Sequence, residues 1–187
     1  MKVSDIPFNM EVEIQEDLRE APKSYDGMEK GVGFLKDEMN KTTDELNLAS
    51  IYSLIGNYSR ILLKLADSEK FLNFSLEIYE KHELKIEAFA VKIQLATTYL
   101  WNEQFTKADK FFLSAIKLCE KSQNEKIKDY LDFVIQHYGK SKFEQKCYHE
   151  ANVLFVRAME LRVVKGNLEL MESSQKALTV VNKFISN

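Results

Sequence analysis

Three stretches of the chain place apolar side chains in one order: a small residue, large residues three and four positions on, a second small residue at seven and an aliphatic at eight. They read Ser68, Phe71, Leu72, Ser75, Leu76; Ala108, Phe111, Phe112, Ala115, Ile116; and Ala151, Leu154, Phe155, Ala158, Met159. These offsets share one face of a helix, and small residues on that face let a second helix approach closely. The recurrence predicts repeated helical units, each striped segment being the second helix of a pair.

The spacing elsewhere supplies the remaining helices. Asn9 to Glu20 is read as a short helix stopping before Pro22, and Met28, Val32, Leu35 and Met39 as one face of the next, weakened by Gly27, Gly31 and Gly33. Thr42 followed by Glu45 has capping-box spacing and opens a helix over about 44–65; Asp67 or Ser68 caps its partner, which runs to about Lys81. Further pairs are expected at 85–101 with 107–122 and at 126–142 with 147–165. Gly166-Asn167 closes the last pair, and Leu168 to Ile185 forms a single helix covering the final apolar face. The chain thus divides into an acidic helical segment (1–43), three helix-pair repeats (about 44–82, 85–124 and 126–167) and a terminal capping helix (168–187). The expected fold is all-α, a solenoid of antiparallel helix pairs.

Composition agrees with an ordered helical chain. Of 187 residues 45% are hydrophobic, and the two prolines, Pro7 and Pro22, both precede the repeats. The first residues do not read as a secretory signal and no apolar run reaches membrane-spanning length, so a soluble cytoplasmic protein is expected, with no membrane partner. Cys119 and Cys147 sit beside helical core positions and read as buried thiols. The first 50 residues hold 12 acidic against 6 basic side chains and the remaining 137 hold 17 against 20, an acidic leader before a mildly basic body. The leader is either a solvated surface or a segment that folds over the body and guards its binding face. With the basic residues dispersed among acids, no nucleic-acid partner is expected.

Tested against the tetratricopeptide pattern of Trp, Leu, Gly and Tyr, the helix before each stripe matches in part. Before Ser68 stand Tyr52, Ile55 and Gly56; before Ala108, Leu95, Ala96 and Tyr99, with Phe105 near the turn; before Ala151, Ile135, Tyr138 and Gly139. The chain from about Leu46 to Gly166 resembles three tetratricopeptide-type repeats. The stripes start 40 and 43 residues apart rather than the usual 34 or so, and Glu80, Glu120 and Val163 replace the closing proline. This long-helix variant is similar to the repeat domains of bacterial peptide-sensing regulators of the Rap type.

The resemblance implies a right-handed solenoid whose concave surface is lined by the first helix of each pair. The expected contacts for a peptide or protein partner are Ser53, Asn57 and Arg60 with Ser50; Ile93, Thr97, Leu100 and Trp101 with Ala90; and Gln136 and Lys140 with Phe133 and Phe143. Asn57 stands where peptide-binding members carry an asparagine, whose amide both donates to and accepts from a peptide backbone; a surface or capping role is the other reading. Ser53 replaces the lysine of members that clamp a C-terminal carboxylate, leaving Arg60 and Lys140 to supply charge. Trp101 is read either as an aromatic anchor or as a packed residue between helices.

No enzymatic activity, cofactor or metal is expected: His82, His137 and His149 are scattered, and no phosphate-binding loop or zinc-helix motif is present. The expected function is a non-enzymatic adaptor or regulator binding a peptide or protein in its groove. An immunity- or antitoxin-type inhibitor acting through a broad interface is the alternative, and a homodimer through apolar ends is a third expectation.

Overall fold

The computed structural model describes residues 1–185, and the fold is all-α apart from one two-stranded ribbon. No helix among the described residues is long and apolar enough to cross a membrane. Two compact units divide the chain, Met1–Glu103 and Gln104–Asn187, the boundary falling inside the stretch read as the second repeat.

The first unit opens with a 3-10 turn, Val3–Asp5, followed by β1 (Val12–Ile14) and β2 (Glu20–Pro22), then α1 (Tyr25–Lys41), α2 (Glu45–Ile61), α3 (Leu65–Lys81) and α4 (Lys85–Trp101). The helix expected over Asn9 to Glu20 is an antiparallel hairpin, with Val12 opposite Pro22 and Ile14 opposite Glu20. Val-Glu-Ile alternates with the strand period, and the loop closes on itself: the Arg19 N–H donates to Asp17 Oδ1 and the Gln15 N–H to the Arg19 carbonyl. Leu18 takes φ 67° at the tip, a conformation an aliphatic side chain adopts at a cost, yet it is 2% exposed. Burial of that side chain holds the turn.

Gly31 does more than weaken α1. A Cβ there would lie 2.2 Å from Met10 Sδ, so its absence lets the N-terminal segment lie against the helix. Ile6 and Met10 join Met28, Val32, Leu35, Ile51, Ile55 and Phe71 in one buried cluster.

The N-cap of α2 is Asp44, which accepts from the Asn47 N–H, while Thr42 Oγ1 takes the Asn47 side-chain amide. Neither Asp67 nor Ser68 caps α3, which starts earlier. The loop after α2 closes through its own backbone: Leu63 adopts φ 60° and the Lys64 N–H donates to the Ser59 carbonyl. Glu83 and Lys146 do the same after α3 and α7, and Gly166 after α8 as expected. Because these joints satisfy the helix ends by main-chain bonds, they leave no capping side chain to read in the sequence.

The second unit comprises α5 (Phe105–Lys121), α6 (Glu125–Lys128), α7 (Leu131–Glu144), α8 (Tyr148–Lys165) and α9 (Leu168–Ile185). The single helix expected over 126–142 is broken at Asp129 and Tyr130, where the Asp129 carbonyl leaves the helical ladder and accepts from Lys165 Nζ.

In both units the stripes meet a small residue on the helix before them. A Cβ on Gly56 would lie 2.6 Å from Leu72, and one on Gly139 2.6 Å from Phe155; both large side chains are fully buried. The serines of the first stripe add bonds that alanine cannot make. Ser75 Oγ donates to the Ala49 carbonyl at 2.8 Å, and Ser68 Oγ lies 2.8 Å from Thr98 Oγ1.

Candidate functional site

The last turns of α2 and α4 place Asn57, Arg60 and Trp101 together. Arg60 follows Asn57 by three residues, so both side chains share a face, and Arg60 Nη2 donates to Asn57 Oδ1 at 3.0 Å. The guanidinium lies 4.4 Å from the centre of the Trp101 ring, a cation–π contact, with Arg19 5.3 Å from the same ring. Strand β2 completes the group: Glu20 Oε2 accepts from Arg60 Nη2 at 2.7 Å. Arg60 is only 3% exposed, but its Nε and Nη1 have no hydrogen-bond partner. A buried guanidinium with one carboxylate and two unpaired nitrogens can donate to a further anionic or carbonyl oxygen.

The other expected contacts of this unit are less open than the resemblance implied. Ser53 is half-buried and donates to Gln94 Oε1 at 3.0 Å, tying α2 to α4. Ile93, Thr97, Leu100 and Trp101 are buried, not exposed, and Thr97 Oγ1 donates to the Ile93 carbonyl. The cause is composition: from Ala88 to Trp101 the helix carries apolar side chains on nearly every side, as a fully packed helix does.

Gln136 and Lys140 belong to the second unit. Lys140 is half-buried, whereas Gln136 is 2% exposed and its Oε1 accepts from Ser174 Oγ at 2.9 Å. Gln136 ends a polar network that sequence reasoning missed. Arg162 Nη1 donates to Ser174 Oγ and to the Leu170 carbonyl, its Nε donates to Asp132 Oδ2 at 3.0 Å, and Lys165 Nζ reaches Asp132 Oδ1 at 2.6 Å. Arg162 and Asp132 are each 2% exposed. A signal for it exists: Arg162 falls on the same helical face as Ala151, Phe155 and Ala158, where a charge needs a buried partner. Asp132, Lys165, Tyr130 and Phe133 also line a surface depression of about 510 Å³.

A second depression, about 290 Å³, lies between α2 and α3 and is lined by Tyr52, Phe74, Glu45 and Lys81. Glu45 accepts from Lys81 and His82 there, and these bonds hold its carboxyl below the usual carboxylate range. Cys119 is buried and Cys147 half-buried, both free, and burial pushes the Cys119 thiol up to about 11. Among the described residues no cluster of three His, Cys, Asp or Glu side chains is arranged to hold a metal ion.

No family model matches the chain and no curated protein matches it. Among solved structures it is similar to the crystal structure of BtubC (BKLC) from P. vanneervenii, at 17% identity and a TM-score of 0.64. The match covers 85% of this chain and 66% of BtubC, so the chain spans just under two thirds of that protein's length. At this identity the likeness concerns the helical fold alone.

Proposed function

We propose that this is a non-enzymatic protein-interaction module of the tetratricopeptide type, a right-handed solenoid acting in the cytoplasm, and that it binds a carboxylate of a peptide or protein partner at Arg60. Glu20 fills that place from within the chain, and the partner displaces it. One observation carries the reading: Arg60 is almost fully buried, yet its charge is answered by a single carboxylate from a short hairpin, with Nε and Nη1 unpaired. A purely structural arginine at that depth is normally saturated with acceptors. Asn57 positions the guanidinium through its Oδ1 and Trp101 provides the platform.

An array of peptides varied in acidic content tests this. Glu20→Gln frees the guanidinium and is expected to raise binding to carboxylate-bearing peptides severalfold over wild type, while Arg60→Ala removes that binding. Equal binding by the two variants would contradict the assignment.

A further inference from the structure

Lysines that the sequence disperses among acids gather on one helix. Counted from the small residue that opens each stripe, the position before it and the second, sixth, ninth and thirteenth after it share a strip about 80° wide on the side opposite the stripe. On α3 that strip reads Asp67, Lys70, Phe74, Glu77, Lys81, and on α8 Glu150, Val153, Arg157, Glu160, Val164, with both signs mixed. On α5 it reads Lys107, Lys110, Ser114, Lys117, Lys121, all exposed and none acidic. The two acids of α5 are engaged elsewhere: Asp109 accepts from Ser141, Lys142 and Gln145, and Glu120 from Arg157. Neither is left to answer the lysines.

Helix stability does not account for this row. Every other described α-helix carries an acid in its first turn, whereas α5 has none there and has Lys107 instead, a cation at the end where the helix dipole disfavours one. Lys107 with Lys110, and Lys117 with Lys121, stand three and four residues apart, the spacings at which like charges repel on a helix. Only Lys121, in the last turn, suits the dipole. On α3 and α8 the strip is tied to other helices by ion pairs, Asp67 to Lys36, Lys81 to Glu45 and Arg157 to Glu120. Lys110, Lys117 and Lys121 form none among the described residues.

We infer that this strip of α5 docks an acidic helix of a partner protein. The lysines span about 21 Å of helix, and acids three and four residues apart on a facing helix match them charge for charge. Leu113 and Leu118, 45 and 47% exposed, flank the row on its two sides and take that helix's aliphatic side chains, contacts that a phosphate backbone does not offer. The net charge of -3 opposes a long polyanion but leaves a local row open to a local acidic face. None of these residues belongs to the Arg60 site, and the two assignments stand or fall separately.

Fluorescence anisotropy tests it, with a labelled amphipathic peptide of about five helical turns that carries glutamates along one face and leucines beside them. The full chain bears Arg60→Ala throughout, so the Arg60 site takes no part. The peptide is expected to bind, and more weakly as salt rises. Lys110→Glu with Lys117→Glu is expected to weaken binding at least tenfold without lowering the melting temperature, since both exchanges relieve like-charge pairs. Lys70→Glu with Lys85→Glu, the same change of charge at exposed sites on the first unit, is expected to leave affinity within about twofold. Equal weakening by the two pairs overturns the inference, as does equal binding of a glutamine version of the peptide, or no binding at all. A lower melting temperature for the α5 pair would make those lysines structural, and tighter binding to duplex DNA or to anionic vesicles than to the peptide overturns the choice of partner.

Discussion

The two buried arginines of this protein are solved differently by their surroundings. In the second unit Arg162 meets the Asp132 carboxylate, the Ser174 hydroxyl and the Leu170 carbonyl, and Asp132 in turn takes Lys165, so the guanidinium and its carboxylate are each bonded more than once. In the first unit Arg60 faces an indole ring and shares one carboxylate from a strand whose Glu20 side chain is 24% exposed. The first arrangement locks α7, α8 and α9 together; in the second a single ion pair joins the hairpin to α2, beside the bond to Asn57 within the helix. Burial alone therefore does not separate a structural charge from a functional one. The completeness of its hydrogen bonding does.

One substitution made at both sites puts the contrast under strain. Arg162→Met leaves the buried Asp132 without its Arg162 partner, and a loss of about 3–5 kcal/mol in urea unfolding is expected. Arg60→Met keeps an apolar stem against Trp101 and lets Glu20 turn to solvent, for a loss of about 1 kcal/mol or less. Equal losses would erase the distinction. Next in size is a spectroscopic change: Glu20→Gln loosens the hairpin over Trp101, the only tryptophan, and its fluorescence should move to longer wavelength while the helical circular dichroism stays constant. An unmoved emission maximum would mean that the hairpin is pinned by Leu18 and Met10 and not by the ion pair.

The smallest effect concerns an exposed network. Glu45 is depressed below its ordinary value of 4.5 by bonds from Lys81 and His82. A depressed folded-state carboxyl contributes stability above its unfolded value and loses it as pH falls through the folded one. Acid titration of stability should therefore show a slight extra decline below pH 4.5 that Glu45→Gln removes. Exposure keeps that decline small beside the loss at Arg162.

What could be read in advance followed the physics of each element. The stripes depend on side-chain volume at fixed offsets, and they placed α3, α5 and α8 within a few residues, as the bounds 85–101 placed α4. Gly56 and Gly139, matched to the repeat pattern, are the positions into which Leu72 and Phe155 pack. The N-terminal hairpin escaped because six residues of strand carry too little periodicity to outweigh the absence of proline between Pro7 and Pro22. The break before α7 escaped because its cause, Lys165, lies 36 residues from the Asp129 carbonyl it binds. At the site, Asn57, Arg60 and Trp101 were singled out together, but their cover was not: Glu20 reaches Arg60 across 40 residues of chain. The exposure of Ile93, Thr97 and Leu100 was misjudged because one face was assigned to a partner when the helix was apolar all round.

The sealed thiol of Cys119 offers a clock. With its ionisation pushed to about 11, only about one molecule in 10,000 carries the thiolate at pH 7, and α5 keeps even that one from solution. Once Cys147 is replaced by serine, alkylation of the remaining cysteine can proceed only as fast as the second unit opens. The rate of that reaction, followed by mass alone, counts the openings of a region that contains no tryptophan to report them.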